Sequence, residues 1–142
     1  MIAAQQSGNH LFAKGLANAA AGARAADMIR NLTRETELAA CAWVAHTHRW
    51  RMRGMIARRF DPFDALIFER TNSIHMLFMR MPLDVVFLDR DNRVTSVREH
   101  LRPWRLAADF KARTVIELPA GTIARTATAP GDELDLAPAA TV

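Results

Sequence analysis

The sequence predicts a mainly β fold: a compact, sandwich or jelly-roll-like single domain with one or two short helices. Three observations carry this reading. Residues 65–68, 74–79 and 85–88 form short runs that are apolar on both alternating sides, as strands covered on two faces are. Turn chemistry punctuates them, above all Asp89-Arg90-Asp91-Asn92 and Ala129-Pro130-Gly131-Asp132. The 142 residues are 50% hydrophobic and 24% charged, which suits one domain with a real core and excludes a disordered polar chain.

Taken in order, residues 1–27 form an Ala-rich N-terminal extension with Gly8, Gly15 and Gly22. Leu11, Phe12, Leu16 and Ala19 sit at helical spacing, so a weak amphipathic helix is expected between 11 and 26. Lys14 and Arg24 interrupt what would be the apolar core of a secretory signal, so a cytoplasmic location is expected. Residues 28–33 and 38–44 read as a hairpin joined through Arg34-Glu35. Residues 46–59 read as a helix that Thr47 can cap, covering one face of the strands. Residues 74–79 and 84–88 are expected to be neighbouring buried strands, and 84–99 a hairpin. Residues 101–111 read as irregular, 114–118 as a strand, and Pro119 as the first residue of a helical turn. A last short strand at 133–136 precedes a frayed tail at 137–142.

The formal net charge is +4, with 17 Arg against 2 Lys. Five Arg fall between 49 and 59, beside Trp50, as an anion- or RNA-binding surface would have them; a solvated helix face gives the same pattern. The stripe does not continue. Asp61, Asp64, Asp84, Asp89, Asp91 and Asp109 lie among the remaining Arg, so nucleic acid is disfavoured as a partner. One Cys excludes an internal disulfide and a Cys-built zinc site. Cys41 sits in an apolar run, where it acts as a small hydrophobe. There is no phosphate loop, dinucleotide fingerprint or Gly-x-Ser-x-Gly elbow, and no apolar run of transmembrane length.

The segment from Ser73 to Asp89, SIHMLFMRMPLDVVFLD, resembles the signature of the domain-of-unknown-function 192 family. Arg51-Met52-Arg53-Gly54-Met55 resembles its upstream element. Glu117-Leu118-Pro119-Ala120-Gly121 and Pro130-Gly131-Asp132 resemble two downstream ones. His46 stands where the family usually has an acid before Thr47. The resemblance covers about 28–136 and implies a compact β domain with no assigned reaction and no cofactor. It also implies that Met28 is the natural start, or that 1–27 is dispensable.

Polar residues beside buried strands need partners or a ligand. His75, Arg80 and Asp84 bracket a turn between apolar runs, and they admit two readings. In the structural one, Arg80 pairs with Asp84 and His75 bonds a loop carbonyl. In the functional one, Arg53, His75, Arg80 and Asp84 line a polar pocket with Trp104 as a stacking lid, suited to an anionic or sugar-like ligand. Glu117 is expected to receive an Arg, and Gly121 to permit close backbone approach. No metal set is evident in the spacing. A non-enzymatic ligand- or partner-binding module is the leading expectation, for a small ligand or a protein partner. The alternative is an enzyme on a small or carbohydrate-like substrate, with His75 and Asp84 as acid and base.

Overall fold

The computed structural model describes residues 23–26, 28–45, 60 and 63–136. In chain order the strands are β1 (Ala23–Ala26), β2 (Ile29–Asn31), β3 (Thr36–Ala39), β4 (Ala42–Ala45), β5 (Ala65–Glu69), β6 (Ser73–His75), β7 (Leu83–Leu88), β8 (Val94–Leu101), β9 (Leu106–Ala108) and β10 (Thr114–Pro119). A single helical turn, α1 (Thr122–Thr126), and β11 (Leu134–Asp135) follow. The fold is a small mainly β domain, as the alternation of apolar runs and turns predicts.

The centre is a six-stranded sheet in the order β1-β4-β5-β10-β7-β8. It is antiparallel except for the parallel β4–β5 pair. The inner strands β5, β7 and β10 are buried along nearly their whole length, because both faces are covered. On one face Leu83, Val85, Phe87, Val115, Leu66 and Phe68 pack with Trp43, Phe63, Met76 and Met79. On the other, Val86, Leu88, Ile116, Leu118 and Ile67 pack with Ile29, Leu38, Ile123 and Leu134. The three-stranded sheet β11-β2-β3 covers this second face, and the β6–β9 ribbon lies over the first.

A buried polar network ties the second layer together. Asn31 donates to Asp132 (2.9 Å) and Thr128 (3.2 Å). Arg34 donates to both Asp132 oxygens (3.1 and 3.0 Å), and the Ala129 N–H adds a further bond (3.0 Å). Burial alone would raise the Asp132 pKa; the bonds from Arg34, Asn31 and Ala129 outweigh it and hold the carboxyl below the ordinary value.

Several expectations are corrected. Residues 74–79 are not one buried strand: β6 ends at His75, and it pairs with β9 rather than β7. The Met79 N–H bonds the Met76 carbonyl (3.3 Å) and Phe78 has φ 62°, so 76–79 is a turn. Met76 and Met79 face the core while Phe78 faces water. The run expected at 38–44 bends at Ala40-Cys41 and serves two sheets. Residues 106–108, expected to be irregular, form β9. Pro119 ends β10 instead of opening a helix; α1 starts after Gly121. Gly121 is needed for its φ of 95°, since a Cβ there would meet nothing within 4 Å.

The hairpin expected at 28–44 is present as β2–β3 with Glu35 at φ 55°. Ala23–Ala26 is strand, not helix, and pairs with β4. The rest of the expected N-terminal helix, the helix expected at 46–59 and the tail 137–142 lie outside the described residues. Among the described residues no helix is long and apolar enough to cross a membrane.

Candidate functional site

Asp84 is fully buried on β7 and points to the sheet face opposite the 76–79 turn, toward α1. One oxygen accepts the His100 N–H (2.9 Å); the other accepts the Gly121 (3.1 Å) and Ile123 (2.8 Å) N–H groups. The reason is local. Leu83 pairs with Leu101 and Val85 with Arg98, so β8 carries an extra residue opposite Asp84. That bulge puts His100 at φ 48° and leaves its N–H without a ladder partner, and Asp84 supplies one. The same carboxylate satisfies the exposed donors of the Pro119–Ile123 corner. Asp84 is a backbone clasp. The His100 imidazole Nδ1 lies 3.9 Å from the same carboxylate.

Glu117 occupies the middle of β10, opposite Leu66 and Val85. It shares the first sheet face with Val115, and no Arg among the described residues reaches it. Its Oε2 is buried without a hydrogen-bond partner. Burial therefore pushes its pKa up to about 8, and the group is held as a neutral acid at neutral pH.

The third feature is on the surface. Phe78 and Trp104 are 65% and 61% exposed, yet their rings meet edge to face at 4.9 Å and 61°. Both have left-handed backbone, φ 62° and 67°, which costs bulky residues about 1–2 kcal/mol each. The two turns are bound together through Met76. Its N–H donates to the Arg105 carbonyl (2.7 Å), and its carbonyl accepts the Trp104 N–H (2.8 Å). The buried Met76 side chain anchors this junction in the core. Exposed Leu106 pairs with exposed His75 across the β6–β9 ladder, extending the apolar surface. Arg80, Arg102 and Arg105 are exposed within a few residues of the pair in the chain and make no side-chain hydrogen bond or ion pair among the described residues.

The predicted set is thus divided. His75, Arg80 and Trp104 are exposed on the two segments that Met76 joins. Asp84 lies on the other side of the central sheet and pairs with backbone rather than with Arg80. Arg53 lies outside the described residues. Phe78 was hidden in the sequence because it sits inside an apolar run that reads as core. A separate cleft of about 360 Å³ lies between Leu38, Asp64, the 119–122 corner and Arg125. Its charged side chains already serve the fold: Asp64 accepts the Ala40 and Cys41 N–H groups (both 2.8 Å), and Arg125 donates to the Glu37 and Leu38 carbonyls (3.1 and 3.2 Å).

Comparison with known proteins agrees with this fold. A crystal structure from Sinorhizobium meliloti 1021, of a protein assigned only provisionally as a transcription regulator, superimposes with a TM-score of 0.66 at 22% identity, covering 78% of this chain and 92% of that one. A protein of unknown function from Novosphingobium aromaticivorans superimposes at 0.58, also at 22% identity, over 76% and 81% of the two chains. Among curated sequences, a UPF0127 protein of Thermococcus sibiricus is 41% identical over 64 residues, 44% of this chain and 41% of its own length. One from Pyrococcus abyssi is 44% identical over 68 residues, 43% of this chain and 57% of its own. The chain spans about half the length of the curated relatives it matches. The profile of DUF192, described as uncharacterised ACR, COG1430, matches residues 30–136. The chain belongs to the DUF192 family.

Proposed function

We propose that this chain is a binding module with no reaction of its own, and that the surface around Phe78 and Trp104 is its site. One observation carries the reading: two large exposed aromatics sit on strained left-handed backbone and are held 4.9 Å apart. Strain at exposed residues opposes stability and is retained where it displays a side chain. Exposed Trp and Phe flanked by Arg are the residue types that dominate recognition surfaces. His75, Arg80 and Trp104 contact the ligand in this reading, and Asp84 acts indirectly by holding β8 and its outgoing turn.

The enzyme alternative needs His75 and Asp84 to converge on one reacting atom. They lie on opposite sides of the central sheet, and every Asp84 oxygen already accepts backbone N–H groups. The binding reading is tested by screening ligands for a melting-temperature rise in the wild type and in Trp104→Ala, since a bound ligand stabilises by mass action whatever its chemistry. The expected result is a rise that Trp104→Ala abolishes while its own melting temperature is kept. Ligands that stabilise both proteins equally would remove the site.

A further inference from the structure

We infer that the Phe78–Trp104 surface takes single-stranded nucleic acid, with bases stacked on the two rings and phosphates on the arginines beside them. The inference rests on the binding-module reading and names its ligand class. In the sequence, aspartates break up the arginines and argue against a phosphate-binding surface. The fold weakens that objection here. Asp84 faces the opposite side of the sheet and is fully buried. Asp109 stays ionised, held below the ordinary value by the Ser96 hydroxyl (2.6 Å), with the Lys111 N–H (3.0 Å) also bonded to it; those donors fix its direction, and the arginines outnumber it. The segments 73–82 and 98–106, which Met76 ties together, retain Arg80, Arg98, Arg102 and Arg105 against Glu99.

The geometry narrows the ligand further. Arg98 lies over the Phe87 ring at 5.8 Å and bonds the Val97 carbonyl, so it belongs partly to the fold. Among the described residues Arg80, Arg102 and Arg105 make no side-chain hydrogen bond or ion pair, which leaves guanidinium forks that match phosphate oxygens. The rings touch edge to face at 61°, so no base can slide between them; each offers an outer surface to one base. Stacking on a side chain requires a base whose face is open, which a duplex does not provide. The footprint is therefore short: about two stacked bases and about three phosphates.

The experiment measures fluorescence anisotropy of a labelled short oligouridylate, and of the matching oligodeoxythymidylate, with the full chain across a salt series. Binding to at least one strand is expected. Three phosphate contacts predict a slope of log K against log salt of about −2. Trp104→Ala or Phe78→Ala should weaken binding at least about fivefold with unchanged melting temperature. Arg80→Ala or Arg105→Ala should each make the slope shallower by about 0.7. Equal affinity for RNA and DNA assigns recognition to base and phosphate, and an RNA preference adds the 2′-hydroxyl; either supports the inference. No binding to either strand overturns it, as do binding that survives loss of both rings and displacement by polyglutamate at equal charge. If a different ligand then raises the melting temperature of the wild type but not of Trp104→Ala, the binding-module reading stands and only the nucleic-acid assignment falls.

Discussion

Glu117 makes stability depend on pH in a direction opposite to that of an ordinary carboxylate. Unfolded, the group ionises near the ordinary glutamate value of 4.5; folded, burial raises it to about 8. Between these values the folded protein holds one proton that the unfolded chain has released. Each pH unit in that window removes about 1.4 kcal/mol of stability. The contribution is fully present below the unfolded value and is lost as pH rises through the folded one. From about pH 5 to about pH 8 the loss is on the order of 3 kcal/mol, a large part of a small domain's total. Glu117→Gln keeps the shape of the neutral acid and cannot ionise, so it lacks this slope. Urea denaturation of both proteins across that range isolates the effect, because groups common to both cancel in the difference. The variant should gain on the wild type steadily as pH rises. Parallel curves would refute the reasoning, because they would show that Glu117 has a partner or water when folded.

Four further outcomes are expected. Asp84→Asn should cost about 3 kcal/mol or more in urea denaturation, because its amide replaces an acceptor oxygen shared by Gly121 and Ile123 or the one serving His100. Phe78→Gly should leave the melting temperature unchanged or raise it by a few degrees, since it relieves a φ of 62° at an exposed residue, while ligand binding is lost. Removing 1–22 should change the melting temperature less than removing 1–27, because only the longer deletion takes β1 from its ladder with β4. Asn31→Ala should destabilise by about 1–3 kcal/mol and make acid unfolding begin at higher pH, as Asp132 loses a bond that holds its pKa down.

The parts of the fold that were legible share one property: neighbours in sequence decide them. Residues 84–99 form a hairpin because β-rich runs flank Asp89–Asn92, where the Asp89 side chain accepts the Asp91 and Arg93 N–H groups (2.8 and 3.0 Å). The Pro130-Gly131 turn follows from the positive φ that only Gly adopts freely. Residues 74–79 were not legible, because apolar content does not distinguish a buried strand from a turn that sends two Met inward and one Phe outward. The ribbon that fixes this turn pairs Ser73–His75 with residues about thirty positions away, and no local pattern announces such a partner.

The candidate site divides in the same way. An acid between buried runs marked Asp84 as needing partners, but a sequence suggests side chains first, and the partners are backbone N–H groups exposed by a bulge and a corner. Trp104 stood out as a large residue beside Pro103 in an irregular stretch. Phe78 did not, since only its backbone conformation separates it from the core.

The most direct measurement of the central claim is a ligand-induced melting shift compared between the wild type and the Phe78→Ala/Trp104→Ala double variant. The platform account predicts that ligands raising the wild-type melting temperature leave the folded double variant unmoved. An equal shift in both proteins would place recognition elsewhere on the domain and contradict the account.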